Sequence, residues 1–210
     1  MFILVITFFN SCLSNQYVTI NVVHSPVTPL SLDSNKILIC SRIENVEKLP
    51  SRQNINTIIK DTFQNSLLFE LNNSPLSNRI KPLIIKDYDE KPNDYQYIIL
   101  FDKLDFQDRI ETGTFSTDES MGNNQFGCFY TFISRLSFKI FSQEGRCLFS
   151  NIIEDTVFSE GYGKSREQAF SRIADINKMA STSGKSLSVN FMQKYFPYWL
   201  AEERMIFGEH

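Results

Sequence analysis

The sequence predicts an α/β (α+β) fold: a mixed sheet with a long antiparallel hairpin, and helices packed on that sheet. Three observations predict it. Ile37-Leu38-Ile39-Cys40 and Tyr97-Ile98-Ile99-Leu100-Phe101 are apolar throughout, the pattern of strands covered on both faces. Residues 126–158 read as two strands around the turn Ser142-Gln143-Glu144-Gly145, each longer than the usual 5–6 residues. Ile55, Ile58, Ile59, Phe63 and Leu67 recur at helical spacing, and a second such stripe runs from Ile176 to Tyr195.

The chain begins with the apolar run Phe2–Phe9, followed by Asn10-Ser11-Cys12. A short apolar core ending in a small residue is a secretory leader pattern. With a cysteine directly after it, residues 1–11 read as a lipoprotein signal peptide and Cys12 as the lipidated residue. The positive start of such leaders is missing. The competing reading is a buried strand, since the run has high strand propensity. It is far short of the ~20 residues a membrane-spanning helix needs. Residues 12–16 then form a tether. Its four residues after Cys12 span at most about 14 Å, which would hold the body, a single domain over 17–210, close to lipid. No acidic run follows Cys12, which leans toward a periplasm-facing outer-membrane position.

Within the body, Tyr17 to Val23 alternates as a half-buried strand, broken by Ser25-Pro26-Val27-Thr28-Pro29. Residues 37–40 form a central strand. Asn54 is placed to cap a helix that ends before Asn72-Asn73-Ser74-Pro75. A strand follows near Ile80–Lys86, and Pro82 assigns it to an edge or a strand start. Strand, helix and strand in this order make a right-handed crossover. The acidic turn Asp87–Asp94 is too short for a helical crossover, so the strands flanking it are expected to be antiparallel. After Tyr97–Phe101, residues Gly113–Gln125 read as a polar loop, and Asp102, Asp105 and Asp108 as strand-end and loop charges. On the first hairpin strand Tyr130, Phe132, Leu136, Phe138 and Ile140 share one face, and Arg135, Ser137 and Lys139 the other. Ser165-Arg166-Glu167-Gln168 is a capping box opening a helix whose buried face starts at Ala169, Phe170 and Ile173. Asp175 caps the next helix, with Ile176, Ala180, Ser183, Leu187, Phe191 and Tyr195 on one stripe. Gly184 inside it marks close packing, and Pro197 ends it. Tyr198–Phe207 is expected to return to the sheet as a last strand.

Composition narrows the function. A hydrophobic content of 42% with 19 phenylalanines supports a real core. A net charge of −3, with no basic stripe, argues against nucleic acid as a partner. Cys40, Cys128 and Cys147 lie in apolar strand contexts and read as buried free thiols, with at most one disulfide among them. No cysteines have metal-ligand spacing, and His24 and His210 are distant, so no metal and no cofactor is expected. Gly161-Tyr162-Gly163-Lys164-Ser165 lacks the first glycine of a phosphate loop, since position 158 is Phe158. Ser183-Gly184-Lys185-Ser186 fails likewise at Met179. The glycines are read as a turn before the helix capped by Ser165. Asp87, Asp89, Glu90 and Asp94 do not complete a calcium loop, because Lys91 and Pro92 stand where a ligand and a glycine belong.

The stretch from Ser137 to Arg204 holds Phe138-Lys139-Ile140-Phe141, Gly161-Tyr162-Gly163, Ser165-Arg166-Glu167-Gln168-Ala169, Pro197-Tyr198-Trp199 and Arg204. Together with Tyr17-Val18-Thr19-Ile20 it resembles a family of uncharacterised Gram-negative envelope lipoproteins. Their domain is similar in outline to the α/β domains of the TolB amino-terminal and curli-assembly lipoprotein type. The resemblance implies a cell-envelope address and brings no catalytic residues.

The expectation is therefore a non-enzymatic binding or assembly protein, held at the membrane through Cys12 and engaging an envelope protein partner. Phe129, Ile133 and Phe141, on the second face of the hairpin, are the candidate binding residues. Two alternatives stand beside it. One is a hydrolase with a dispersed site, pairing His24 with a carboxylate from Asp87–Asp108, since proton transfer needs hydrogen-bond reach. The other is an unanchored structural domain.

Overall fold

Alternation of apolar and polar side chains builds the centre of the molecule, and the longest strands set its shape. The computed structural model describes residues 16–26, 37–44, 50–75, 77, 80–82, 95–116 and 124–206. The leader, Cys12, the acidic turn Asp87–Asp94 and His210 lie outside the described residues.

The strands are β1 (Gln16–His24), β2 (Ile37–Glu44), β3 (Ile80–Pro82), β4 (Tyr97–Ser116), β5 (Asn124–Ser142), β6 (Cys147–Gly163) and β7 (Tyr198–Ile206). The helices are α1 (Pro50–Asn73), α2 (Arg166–Phe170) and α3 (Ile176–Tyr195). Five strands form a mixed sheet in the order β3-β2-β4-β5-β6. β2 pairs in parallel with β3 and β4, while β5 is antiparallel to β4 and to β6. The fold is α+β, with the helices packed on one face of the sheet.

The helix-side face carries the main core. Ile59, Phe63, Phe101, Phe132, Leu136, Phe138, Leu187 and Phe191 are wholly buried. Phe101 meets Phe63 edge-on at 4.9 Å and Phe191 at 5.0 Å, and Phe138 meets Tyr195 at 5.2 Å. Such contacts add about 0.5–1.5 kcal/mol each beyond burial. Gly184 lets α3 lie directly on α1: a Cβ there would stand 2.5 Å from the Ile59 carbonyl oxygen. A smaller cluster on the other face joins Leu38, Cys40 and Ile98 with Tyr95, Leu100 and Phe141. Burial pushes the Cys40 thiol up to about 11.

Several expectations are corrected. The two strands flanking the acidic turn are parallel, lying on opposite sides of β2. α1 starts at Pro50 rather than after Asn54; proline suits the first helical position because its missing N–H would have no partner there. Asp102, Asp105 and Asp108 lie inside β4, and the described residues of the expected loop Gly113–Gln125 are strand, with β4 continuing to Ser116 and β5 starting at Asn124. β7 does not return to the main sheet. It pairs antiparallel with β1, from Gln16↔Ile206 to His24↔Tyr198, as a separate two-stranded ribbon. Cys147 is exposed, whereas Cys40 and Cys128 are buried, and all three are free thiols. Of the expected buried face of the helix after Ser165, Ala169 is buried but Phe170 is 55% exposed.

Candidate functional site

β2 pairs with β4 only as far as Lys103, whereas β4, β5 and β6 stay paired to Ser116↔Asn124 and Phe126↔Gly163. Residues 104–116, at about 3.4 Å each, make a three-stranded blade roughly 40 Å long. Its helix side and its opposite, open side differ in what covers them.

On the helix side, α2 lies across the end of β6. Ser165 Oγ accepts from the Gln168 amide at 3.2 Å, and Gln168 Oε1 accepts from the Lys164 amide at 2.8 Å. The reciprocal bond thus reaches one residue beyond the cap itself. Gly161 and Gly163 are not a turn. They are buried β6 residues on which the α2 backbone rests, and a Cβ on either would run into Ala169. Between β4 and α2 is a cleft of about 280 Å³ walled by Ile110, Tyr130, Phe170, Ile173 and Ile176. The Tyr130 hydroxyl donates to Asp108 at 3.2 Å.

Closer to the core, a polar cluster ties α3 to the sheet. Ser134 and Ser183 share a hydrogen bond, Ser183 Oγ donates to Asp155 at 3.1 Å, and Asn190 Nδ2 lies 3.5 Å from the same carboxylate. Burial raises the Asp155 pKa above the ordinary aspartate value, against the lowering effect of its hydrogen bonds. Ser134 and Ser183 are both 0% exposed, enclosed between α3 and the sheet. The cluster fixes α3 in place.

The open side presents alternate residues of β4, β5 and β6, with no helix of the described residues packed over it. Phe158 is 75% and Ile152 52% exposed. Phe129 meets the Tyr162 ring edge-on at 5.9 Å. The register sets Phe158 opposite Thr131, on the rung between those of Phe129 and Ile133. Ion pairs separate the apolar groups: Arg135 Nε to Glu154 at 2.5 Å and Lys139 Nζ to Asp102 at 2.5 Å. Asp102 holds the Lys139 ammonium above its ordinary pKa by hydrogen bond and charge, and the hydrogen bond to Glu160 does the same for the Tyr162 phenol.

Of the candidate residues, Phe129 and Ile133 stand half-buried on this open face, and Phe141 is half-buried at its base, packed on the Leu38–Cys40–Ile98 cluster. The structure therefore brings two of the three together and sets the third apart. The same face also presents Phe158, Ile152 and Tyr162, which no sequence expectation named. Their signal was present in the alternation of β6, where every second residue faces the same way. His24 sits at the end of β1, its ring 5.6 Å from that of Tyr198. Asp102, Asp105 and Asp108 belong to the other sheet. No helix of the described residues is long and apolar enough to cross a membrane.

Comparison with known proteins gives a family and distant structural likenesses. No curated protein matches the chain. A neuraminyllactose-binding hemagglutinin homolog from Helicobacter pylori is similar at 12% identity and TM-score 0.42, over 81% of this chain and 87% of that one. The PelC dodecamer of Paraburkholderia phytofirmans is similar at 11% identity and TM-score 0.34, over 83% and 98%. Rare lipoprotein B from Shewanella oneidensis is similar at 12% identity and TM-score 0.29, over 73% and 92%. The model of a domain of unknown function, DUF8603, matches residues 89–207, from before β4 through β7, and the chain belongs to that family.

Proposed function

We propose that this chain is a lipid-anchored cell-envelope protein that acts by binding rather than by catalysis. Cys12 holds it to the periplasm-facing side of the outer membrane, and the open face of the blade docks an envelope protein. The observation that carries the reading is Phe158, 75% exposed beside Phe129 and Ile133 on a sheet face that no helix of the described residues covers. Burying a side chain of this kind is worth about 1.5–3 kcal/mol, a gain that a partner would supply. The flanking pairs Arg135–Glu154 and Asp102–Lys139 offer both signs of charge, which favours recognition of a protein surface over a polyanion.

The test is capture from native membranes with the full chain. The wild type is expected in the membrane fraction with a bound protein. Cys12→Ala is expected to move to the soluble fraction. Ile133→Ser/Phe158→Ser is expected to stay at the membrane and lose the partner, while helix-side Phe170→Ser keeps it. A partner retained by Ile133→Ser/Phe158→Ser overturns the binding face. A soluble wild-type chain whose intact mass includes residues 1–11 overturns the anchor.

A further inference from the structure

Past Lys103, β4 has a strand on one side only among the described residues, and residues 107–112 are exposed on both faces. Its outer edge therefore offers a row of backbone donors and acceptors from 104 to 116, a template for another strand. The midpoint of that row is Ile110, itself 49% exposed. Its two neighbours carry opposite charges, Arg109 and Glu111, which pair with each other at 2.8 Å within the chain and keep side chains 77% and 56% exposed, free to exchange that pair for an equivalent one across a two-fold.

We propose that the β4 edge pairs antiparallel with the same edge of a second copy of this chain, with the two-fold axis at Ile110. In that register each residue i faces residue 220 − i of the other copy. Arg109 faces Glu111 of the other copy and Glu111 faces its Arg109, giving two equivalent cross-strand ion pairs. Ile110 meets Ile110, next to the exposed Phe170 of each copy, which lines the same cleft. Thr112 faces the Asp108 carboxylate. The pairing uses the whole edge and stops where β2 begins to occupy it. Moving the axis by one residue puts Arg109 against Arg109 or Glu111 against Glu111, so like charges opposite each other disfavour the neighbouring registers. A contact that uses the same patch on both copies closes as a dimer instead of growing into a fibre. This pairing lies on the strand edge, and does not rest on the open-face reading above.

The experiment is sedimentation of the purified full chain over a concentration series, with cross-linking as a second readout. The wild-type mass is expected to double as concentration rises. Arg109→Glu alone and Glu111→Arg alone are each expected to remain at the single-chain mass, and the doubly exchanged chain is expected to recover the doubled mass. In a Cys12→Ala/Cys147→Ser background, Ile110→Cys is expected to join to a second copy with a short bis-maleimide. Thr114→Cys, about 27 Å from its equivalent at 3.4 Å per residue, is not. Three results each overturn the proposal: a single-chain mass at every concentration, a dimer unaffected by Arg109→Glu, or equal cross-linking at 110 and 114. Circular dichroism of each variant confirms that the exposed substitutions leave the fold intact.

Discussion

The two faces of β5 follow one alternating sequence and end in different surroundings. Tyr130, Phe132, Leu136, Phe138 and Ile140 are at most 6% exposed beneath α1, α2 and α3. Their neighbours Phe129, Thr131, Ile133, Arg135, Ser137, Lys139 and Phe141 are all half-buried. One face is a network of interlocked rings; the other is apolar islands set among ion pairs. The difference separates two duties within a single strand. Burial on the helix side supplies stability, so the open side can hold groups that folding does not require.

Substitutions on the two faces test that separation. Phe138→Ala removes a ring that touches Phe101, Phe149, Phe191 and Tyr195, and denaturant unfolding should show a loss of about 3–5 kcal/mol. Gly184→Ala forces α3 away from the Ile59 carbonyl and is expected to lose about 1–3 kcal/mol in the same assay. Asp155 should make part of the stability depend on pH. Its folded-state pKa lies above the unfolded one, so the fold favours the neutral acid. Its contribution is full below the ordinary aspartate value of about 4 and declines as pH rises through the raised value. The melting temperature of the wild type relative to Asp155→Asn should therefore fall across that window; an unchanged difference would mean the carboxylate is not desolvated. Phe158→Ser on the open face should change stability by no more than about 0.5 kcal/mol. A loss as large as that of Phe138→Ala would show that the open face is needed for folding after all.

Much of this was legible wherever a local pattern matched the final environment. The alternation of β5, the stripe on α3, the caps at Ser165 and Asp175 and the close approach at Gly184 all follow from spacing and residue type. The outer half of β4 was not legible. Residues 107–112 are exposed on both sides, so no alternation marks them, and it is hydrogen bonding to β5 that makes them strand. Gly161 and Gly163 misled for a related reason: their smallness serves a helix that packs on them from later in the chain. Phe129 and Ile133 could be assigned to a face from the hairpin alone. Phe141 could not be separated from them, because its packing depends on β2, about a hundred residues earlier in the chain.

The β1–β7 ribbon has a mechanical consequence. Its first rung joins Gln16 to Ile206, so the two strand ends lie side by side. A tug applied at those two residues loads one rung at a time, as a zipper is opened, instead of shearing all rungs together. The ribbon should therefore peel at low force and act as a fuse, while the five-stranded sheet stays intact.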